Sequence, residues 1–133
     1  MTRNQIIMEE LQQQAQTIFW QYSAQAEMLA TPITIAAYRS NFHEFLKFLA
    51  YQINLKKVDS VKKKHIEAYI SCLKSKNCND YFISKQVQAI CFWLELNAEK
   101  GQHIPKFEDF NLEHPINIKA KTENQEDTVY SCN

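Results

Sequence analysis

Two groups of basic residues have the type and spacing to contact an anionic partner. In the first group, three side chains recur at every fourth position and therefore align along one side of a helix: Arg39, His43 and Lys47. The second group is a run of three adjacent lysines: Lys62, Lys63 and Lys64. Cations are mildly unfavourable at the start of a helix, so this run can mark a functional contact. The alternative is that it is an ordinary solvated surface.

The charge of the chain is segregated along its length. Residues 34–100 carry eleven Lys or Arg and six Asp or Glu, a net charge of +5. Residues 1–33 carry a net charge of −2 and residues 101–133 one of −3, so the whole chain is neutral. The neutral total argues against a nucleic-acid partner, whereas the concentration of positive charge in the middle segment favours an anionic partner.

Other kinds of chemical site lack the residues they need. The four histidines and four cysteines are scattered without metal-ligand spacing, so no metal is expected, and all four cysteines are predicted to be reduced thiols. With Gly101 as its only glycine, the chain has neither a P-loop nor a dinucleotide-binding loop, and no cofactor is expected. The N-terminus has no apolar signal segment, and no apolar run is long enough for a membrane span, so a cytoplasmic protein is expected.

The elements that carry these residues are predicted to be helices. One glycine and three prolines in 133 residues are too few for the tight turns of a β-rich fold. Apolar residues at helical spacing predict helices over 3–29, 31–52, about 62–75 and 80–101, the second of them starting with Thr31 as cap and Pro32 in the first turn. The predicted fold class is therefore all-α, a compact bundle of about four to five helices.

Three motifs follow one another along the central helices. The first places aromatic and aliphatic residues after a Thr-Ile pair: Thr34, Ile35, Tyr38, Phe42, Phe45, Leu46, Phe48 and Leu49. The second is a short Ile-x-x-Tyr-Ile core: Ile66, Tyr69, Ile70 and Leu73. The third is the continuous run over 82–93, FISKQVQAICFW. In this order and with these gaps, residues 31–106 resemble the SAM-like N-terminal (core-binding) domain of tyrosine recombinases and phage integrases.

The resemblance implies a DNA-clamping role. In that family the domain forms one jaw of a C-shaped clamp around duplex DNA, with its first and third helices facing the major groove. The implied DNA contacts are Arg39, His43 and Lys47 on the first helix, Ser84, Lys85 and Gln88 on the third, and Lys62, Lys63 and Lys64 on the DNA backbone. Phosphate contacts would give affinity, and polar contacts with base edges, for which Arg39 and Gln88 are the candidates, would give sequence preference.

The resemblance also divides the chain into four parts. Residues 1–30 form an N-terminal amphipathic helix, 31–106 the DNA-binding domain, 107–118 a strap or linker, and 119–133 a polar tail that is expected to be disordered. The apolar stripe of residues 3–29 allows two arrangements. The helix packs on its own domain, or it reaches a neighbouring recombinase subunit.

The residues that perform recombination in this family are missing. Its catalytic domain supplies two arginines, one of them in a His-x-x-Arg box, a lysine and a nucleophilic tyrosine, whereas here His114 is followed by Pro115 and the arginines are Arg3 and Arg39. We therefore expect no enzymatic activity from this chain, which is either a short natural product that retains the DNA-binding domain or the N-terminal part of an active recombinase. The alternative is a helical protein-interaction module with no DNA role, which the neutral net charge and the glutamine-rich first helix favour.

Overall fold

The computed structural model describes residues 1–99 and 101–121, and this part of the chain is a helical bundle without strands. Its six α-helices are α1 (Arg3–Gln21), α2 (Ser23–Leu29), α3 (Pro32–Phe48), α4 (Lys63–Ser75), α5 (Asp80–Asn97) and α6 (Pro115–Lys121). A π-helical turn follows α3 (Leu49–Ile53), and single 3₁₀ turns precede α4 (Val58–Ser60) and α6 (Phe107–Phe110). The predicted all-α class is confirmed.

Side-chain caps define where the helices begin. The Thr31 hydroxyl accepts a hydrogen bond from the Thr34 N–H at 3.2 Å, with Pro32 in the first turn as predicted. At the start of α5, Asn79 caps the helix by accepting from the Phe82 N–H at 2.8 Å.

One hydrophobic core joins α1 to the central helices. Phe42 of α3 and Trp93 of α5 are fully buried, and Phe19 of α1 packs between them, with its ring centroid 6.1 Å from that of Phe42 and 4.6 Å from that of Trp93. The apolar stripe of α1 is therefore buried against its own domain, the first of the two arrangements that the sequence allows. Replacing any one of these three aromatic residues with alanine would lower the free energy of unfolding by about 3–5 kcal/mol.

A buried chain of hydrogen bonds links α3, α4 and α5. The Tyr69 hydroxyl donates to Gln86 Oε1 at 2.8 Å, and Gln86 Nε2 donates to Asn41 Oδ1 at 2.9 Å. Burial, and after it the nearby Glu44 carboxylate, raise the pKa of Tyr69, so its hydroxyl keeps its proton and remains a donor. This chain fixes the three helices relative to one another.

Several expectations about chain segments need correction. The helix predicted over 3–29 is interrupted at Tyr22, whose backbone leaves helical geometry at φ −109° and ψ 18°. Residues 107–118, predicted as a strap or linker, hold a 3₁₀ turn and the start of α6, both packed against α5, and nothing in this contradicts the prediction. Helix α6 continues to Lys121, three residues into the predicted tail, and the rest of that tail lies outside the described residues. Cys78 is disulfide-bonded, so the prediction of four reduced thiols is wrong there, whereas Cys72 and Cys91 are free.

Candidate nucleic-acid interface

The three basic residues of α3 do not form one open row. Arg39 is exposed and lines a cavity of about 90 Å³ beside α2, which it shares with Glu27. His43 is half-buried in a groove of about 620 Å³ between α1 and α3. Lys47 is exposed, and its Nζ pairs with the Glu44 carboxylate at 3.3 Å. The first two residues thus lie beside the N-terminal helices, and the charge of the third is partly neutralised.

Helix α5 is a central helix of the bundle and not a surface helix. Ser84 is only 1% exposed, and its hydroxyl donates to the Glu113 carbonyl oxygen at 2.9 Å. Ser84, which the resemblance implied as a DNA contact, is therefore not available on the surface, because the segment before α6 returns across this side of α5. Lys85 and Gln88 are half-buried, and Lys85 Nζ lies 6.0 Å from the centroid of the Tyr81 ring. A helix buried on several sides has little surface left for reading a DNA groove.

The strongest basic surface surrounds the start of α4. The predicted run at 62–64 is exposed, and two further exposed lysines lie on the preceding loop. We call these five residues the lysine cluster: Lys56, Lys57, Lys62, Lys63 and Lys64. Among the residues that the structure describes, none of the five is ion-paired, so their charge is unneutralised.

The side chain of Gln14 on α1 anchors the loop that carries this cluster. Its Nε2 donates to the Lys56 carbonyl oxygen and its Oε1 accepts from the Val58 N–H, both at 2.8 Å. At the other end of the loop, Asn97 Nδ2 donates to Asp59 Oδ1 at 2.9 Å. Val58 itself is buried, so the loop is held by apolar packing as well as by hydrogen bonds. The lysine side chains are therefore exposed on a backbone whose position is fixed.

His65 completes the start of α4. Its Nδ1 accepts a hydrogen bond from the Lys62 N–H at 2.9 Å, the bond that a Glu or Gln at this position supplies in a capping box. Partial burial, followed by the charges of Lys64 and Lys62, lowers the pKa of His65. The first turn of α4 contains no acidic residue, so the positive end of the helix dipole adds to the lysine charges. Such an arrangement attracts anions, phosphate groups in particular.

Sequence reasoning identified part of this surface and missed the rest. It named the three lysines at 62–64 and did not name Lys56 and Lys57, which lie on the loop before α4. The available signal was five lysines within nine positions, interrupted by one acid, Asp59. The role of Gln14 has no comparable signal, because its contacts with the loop span 42 and 44 residues.

Metal-binding groups and membrane-spanning helices were two further possibilities for the described residues. No group of three or more His, Cys, Asp or Glu side chains among them is arranged to hold a metal ion. None of their helices is long and apolar enough to cross a membrane.

Comparison with known proteins gives no match to a protein-family model, a curated protein or a solved structure. The predicted resemblance to the recombinase core-binding domain is therefore not tested by these comparisons and rests on the sequence motifs alone.

Proposed function

We propose that this chain binds duplex DNA and that the lysine cluster is its main contact with the phosphate backbone. The observation that carries this proposal is the set of five exposed, unpaired lysines on an anchored loop and helix start. Lysines that neutralise phosphates release condensed counterions, and this release provides affinity that does not depend on base sequence. A fixed loop strengthens such binding because less conformational freedom is lost on association.

The similarity to recombinases extends this proposal to a role in DNA integration or recombination, without a catalytic domain in this chain. In that role the domain clamps the duplex, and Arg39 and Gln88 remain the candidates for contacts with base edges. Arg39 is exposed, so its guanidinium group can reach a groove, whereas the half-buried Gln88 is the weaker candidate. The stripe of α1, for which a contact with a neighbouring subunit was the second of two possible arrangements, is buried in the core, so such a contact would need a different surface.

The test is fluorescence anisotropy with a random-sequence DNA duplex, titrated at several salt concentrations. The variant replaces three lysines of the cluster with glutamine: Lys62→Gln, Lys63→Gln and Lys64→Gln. We expect the wild-type affinity to fall log-linearly with salt and the variant to bind more weakly. The slope of the variant should be shallower by up to about 2.7, since each lost phosphate contact changes it by about 0.9.

A control variant removes the same amount of charge from exposed lysines outside the cluster: Lys74→Gln, Lys76→Gln and Lys106→Gln. We expect this variant to keep most of the wild-type slope. Equal losses in the two variants would mean that binding follows net charge alone and would contradict the assignment to the cluster. A folded wild-type chain that binds no duplex even at low salt would refute the DNA-binding proposal.

The second candidate function is a helical protein-interaction module. It is favoured by four large apolar side chains that are exposed near the ends of α1, α2 and α3: Trp20, Met28, Leu29 and Ile33. These residues lie on a different part of the chain from the lysine cluster, so the two candidate functions are compatible.

A further inference from the structure

The cavity of about 90 Å³ beside α2 has an apolar floor and a polar rim. Its floor consists of three buried side chains: Phe19, Ile35 and Trp93. Its rim carries three exposed polar side chains: Ser23, Glu27 and Arg39. An apolar interior with a few polar groups around it is the usual composition of a site for a small molecule.

The indole of Trp93 brings an unused hydrogen-bond donor to this cavity. Trp93 is only 1% exposed, and its buried Nε1 has no hydrogen-bond acceptor in the described part of the chain. Buried tryptophan N–H groups usually have an acceptor, because a donor that is removed from water without one destabilises the fold. An oxygen atom of a ligand in the cavity would supply the acceptor that Trp93 lacks.

Arg39 supplies the second group of donors. It lies four residues after Ile35, so the two side chains share one face of α3, and both line the cavity. Among the residues that the structure describes, Arg39 has no ion-pair partner. Guanidinium groups bind carboxylates through two parallel hydrogen bonds. Arg39 and the Trp93 N–H therefore both favour an anionic oxygen group, and a carboxylate in particular.

Helix α2 supplies acceptors to the same cavity. Ser23 and Glu27 are four residues apart and therefore share one face of this helix. The Ser23 hydroxyl donates to the Trp20 carbonyl oxygen at 3.2 Å, so its Oγ remains available as an acceptor. The Glu27 carboxylate lines the same cavity as Arg39 but does not pair with it. The cavity thus presents acceptors from α2 and donors from α3 and α5.

The size and the polarity of the cavity together indicate its ligand. A cavity of about 150 Å³ holds benzene, so one of about 90 Å³ fits about four to six non-hydrogen atoms. A molecule of this size that carries both an anionic and a cationic group is a small α-amino acid. We propose that the cavity binds free glycine or alanine. The ligand carboxylate accepts from Arg39 and from Trp93 Nε1, and the ligand ammonium group donates to Glu27 and Ser23.

Titration of the ¹⁵N-labelled chain with L-alanine, followed by ¹H–¹⁵N NMR spectra, tests this proposal. The chain has two tryptophans, and a Trp20→Phe variant identifies the indole N–H peak of Trp93. We expect this peak to move and to saturate below about 10 mM L-alanine. N-acetyl-L-alanine lacks the ammonium group and L-alaninamide lacks the carboxylate, so each should bind at least about tenfold more weakly.

Two variants of the rim remove one charge each: Arg39→Gln and Glu27→Gln. Both side chains are exposed, so folding should be unaffected, and circular dichroism checks this. We expect each variant to bind L-alanine at least about tenfold more weakly than the wild type. The matched controls are Arg3→Gln and Glu67→Gln, which remove the same charges from exposed positions outside the cavity and should leave the affinity unchanged.

Three results would overturn the proposal. The first is a Trp93 indole peak that neither glycine nor L-alanine moves. The second is equal binding of L-alanine and either of its two derivatives, which would mean that the cavity does not recognise both charges. The third is an equal loss of affinity in the rim variants and in their controls. Because Arg39 is also a candidate contact with DNA bases, the titrations contain no DNA, and their outcome is independent of the DNA-binding proposal.

Discussion

Replacing Gln86 with leucine should destabilise the protein through two hydrogen bonds at once. Gln86 accepts from the buried Tyr69 hydroxyl at 2.8 Å and donates to Asn41 at 2.9 Å. Leucine has a similar size but no polar atoms, so the variant leaves the Tyr69 hydroxyl buried without its acceptor. An unsatisfied buried donor costs about 1–3 kcal/mol, and we expect a loss of about 2 kcal/mol in the free energy of unfolding.

Urea unfolding measures this loss directly, and thermal unfolding should show a fall in Tm of about 7 °C for a chain of this size. The matched control is Gln88→Leu, the same chemical change on the same helix at a half-buried position. We expect the control to change stability by no more than about 0.5 kcal/mol.

A double-mutant cycle separates the hydrogen bond from other effects. Tyr69→Phe alone leaves Gln86 Oε1 without a donor, whereas the double variant Tyr69→Phe, Gln86→Leu removes both partners. The double variant should therefore lose about 1 kcal/mol less stability than the sum of the single losses. Strict additivity, or a Gln86→Leu loss no larger than that of the control, would refute the reasoning.

Three further predictions follow from the surroundings of α4 and α5. Gln14→Leu should lower the free energy of unfolding by about 1–2 kcal/mol because the Val58 N–H loses its acceptor. It should also weaken DNA binding without a change in charge, and unchanged anisotropy titrations would contradict the anchoring role. Because the pKa of His65 is lowered in the folded state, its contribution to stability is present above the ordinary value of 6.5 and is lost as the pH falls through the folded pKa. Urea midpoints should therefore fall more in the wild type than in His65→Gln, whose amide oxygen can still accept from the Lys62 N–H but does not titrate, and parallel pH profiles would contradict this. Burial, followed by nearby carboxylates, raises the pKa of Cys91 to about 12. Because the thiolate is the reactive form, a disulfide reagent at pH 8 should label Cys91 roughly a thousandfold more slowly in the native than in the urea-unfolded chain. Equal labelling rates by mass spectrometry would contradict this protection.

The starts of α3 and α5 and the all-α class could be predicted because their signals are local. A cap and a proline at Thr31 and Pro32 precede a long apolar stripe, and both act within a few residues of the chain. The break at Tyr22 is different, since the apolar spacing continues through it and gives no sign of a change in backbone geometry.

The errors at the candidate site have a common physical cause. Ser84 is polar and lies between apolar positions, as a solvent-facing residue does, but its hydrogen-bond partner is the Glu113 carbonyl 29 residues later. The segment before α6, which has weak apolar periodicity, covers that side of α5. Periodicity identifies the apolar face of a helix, but it does not reveal which other elements cover the remaining faces. Long-range contacts of this kind decide which basic residues stay exposed.

Helix α1 supports both the core and the lysine cluster. Gln14 anchors the loop of the lysine cluster by accepting from the Val58 N–H, and Phe19, on the same helix, packs against Trp93 of the core. Removing α1 would disturb the core and the lysine cluster together, so deletion cannot separate a loss of DNA binding from a loss of the fold. The substitution Gln14→Leu can, because it changes the anchor of the loop and leaves the contact between Phe19 and Trp93 in place.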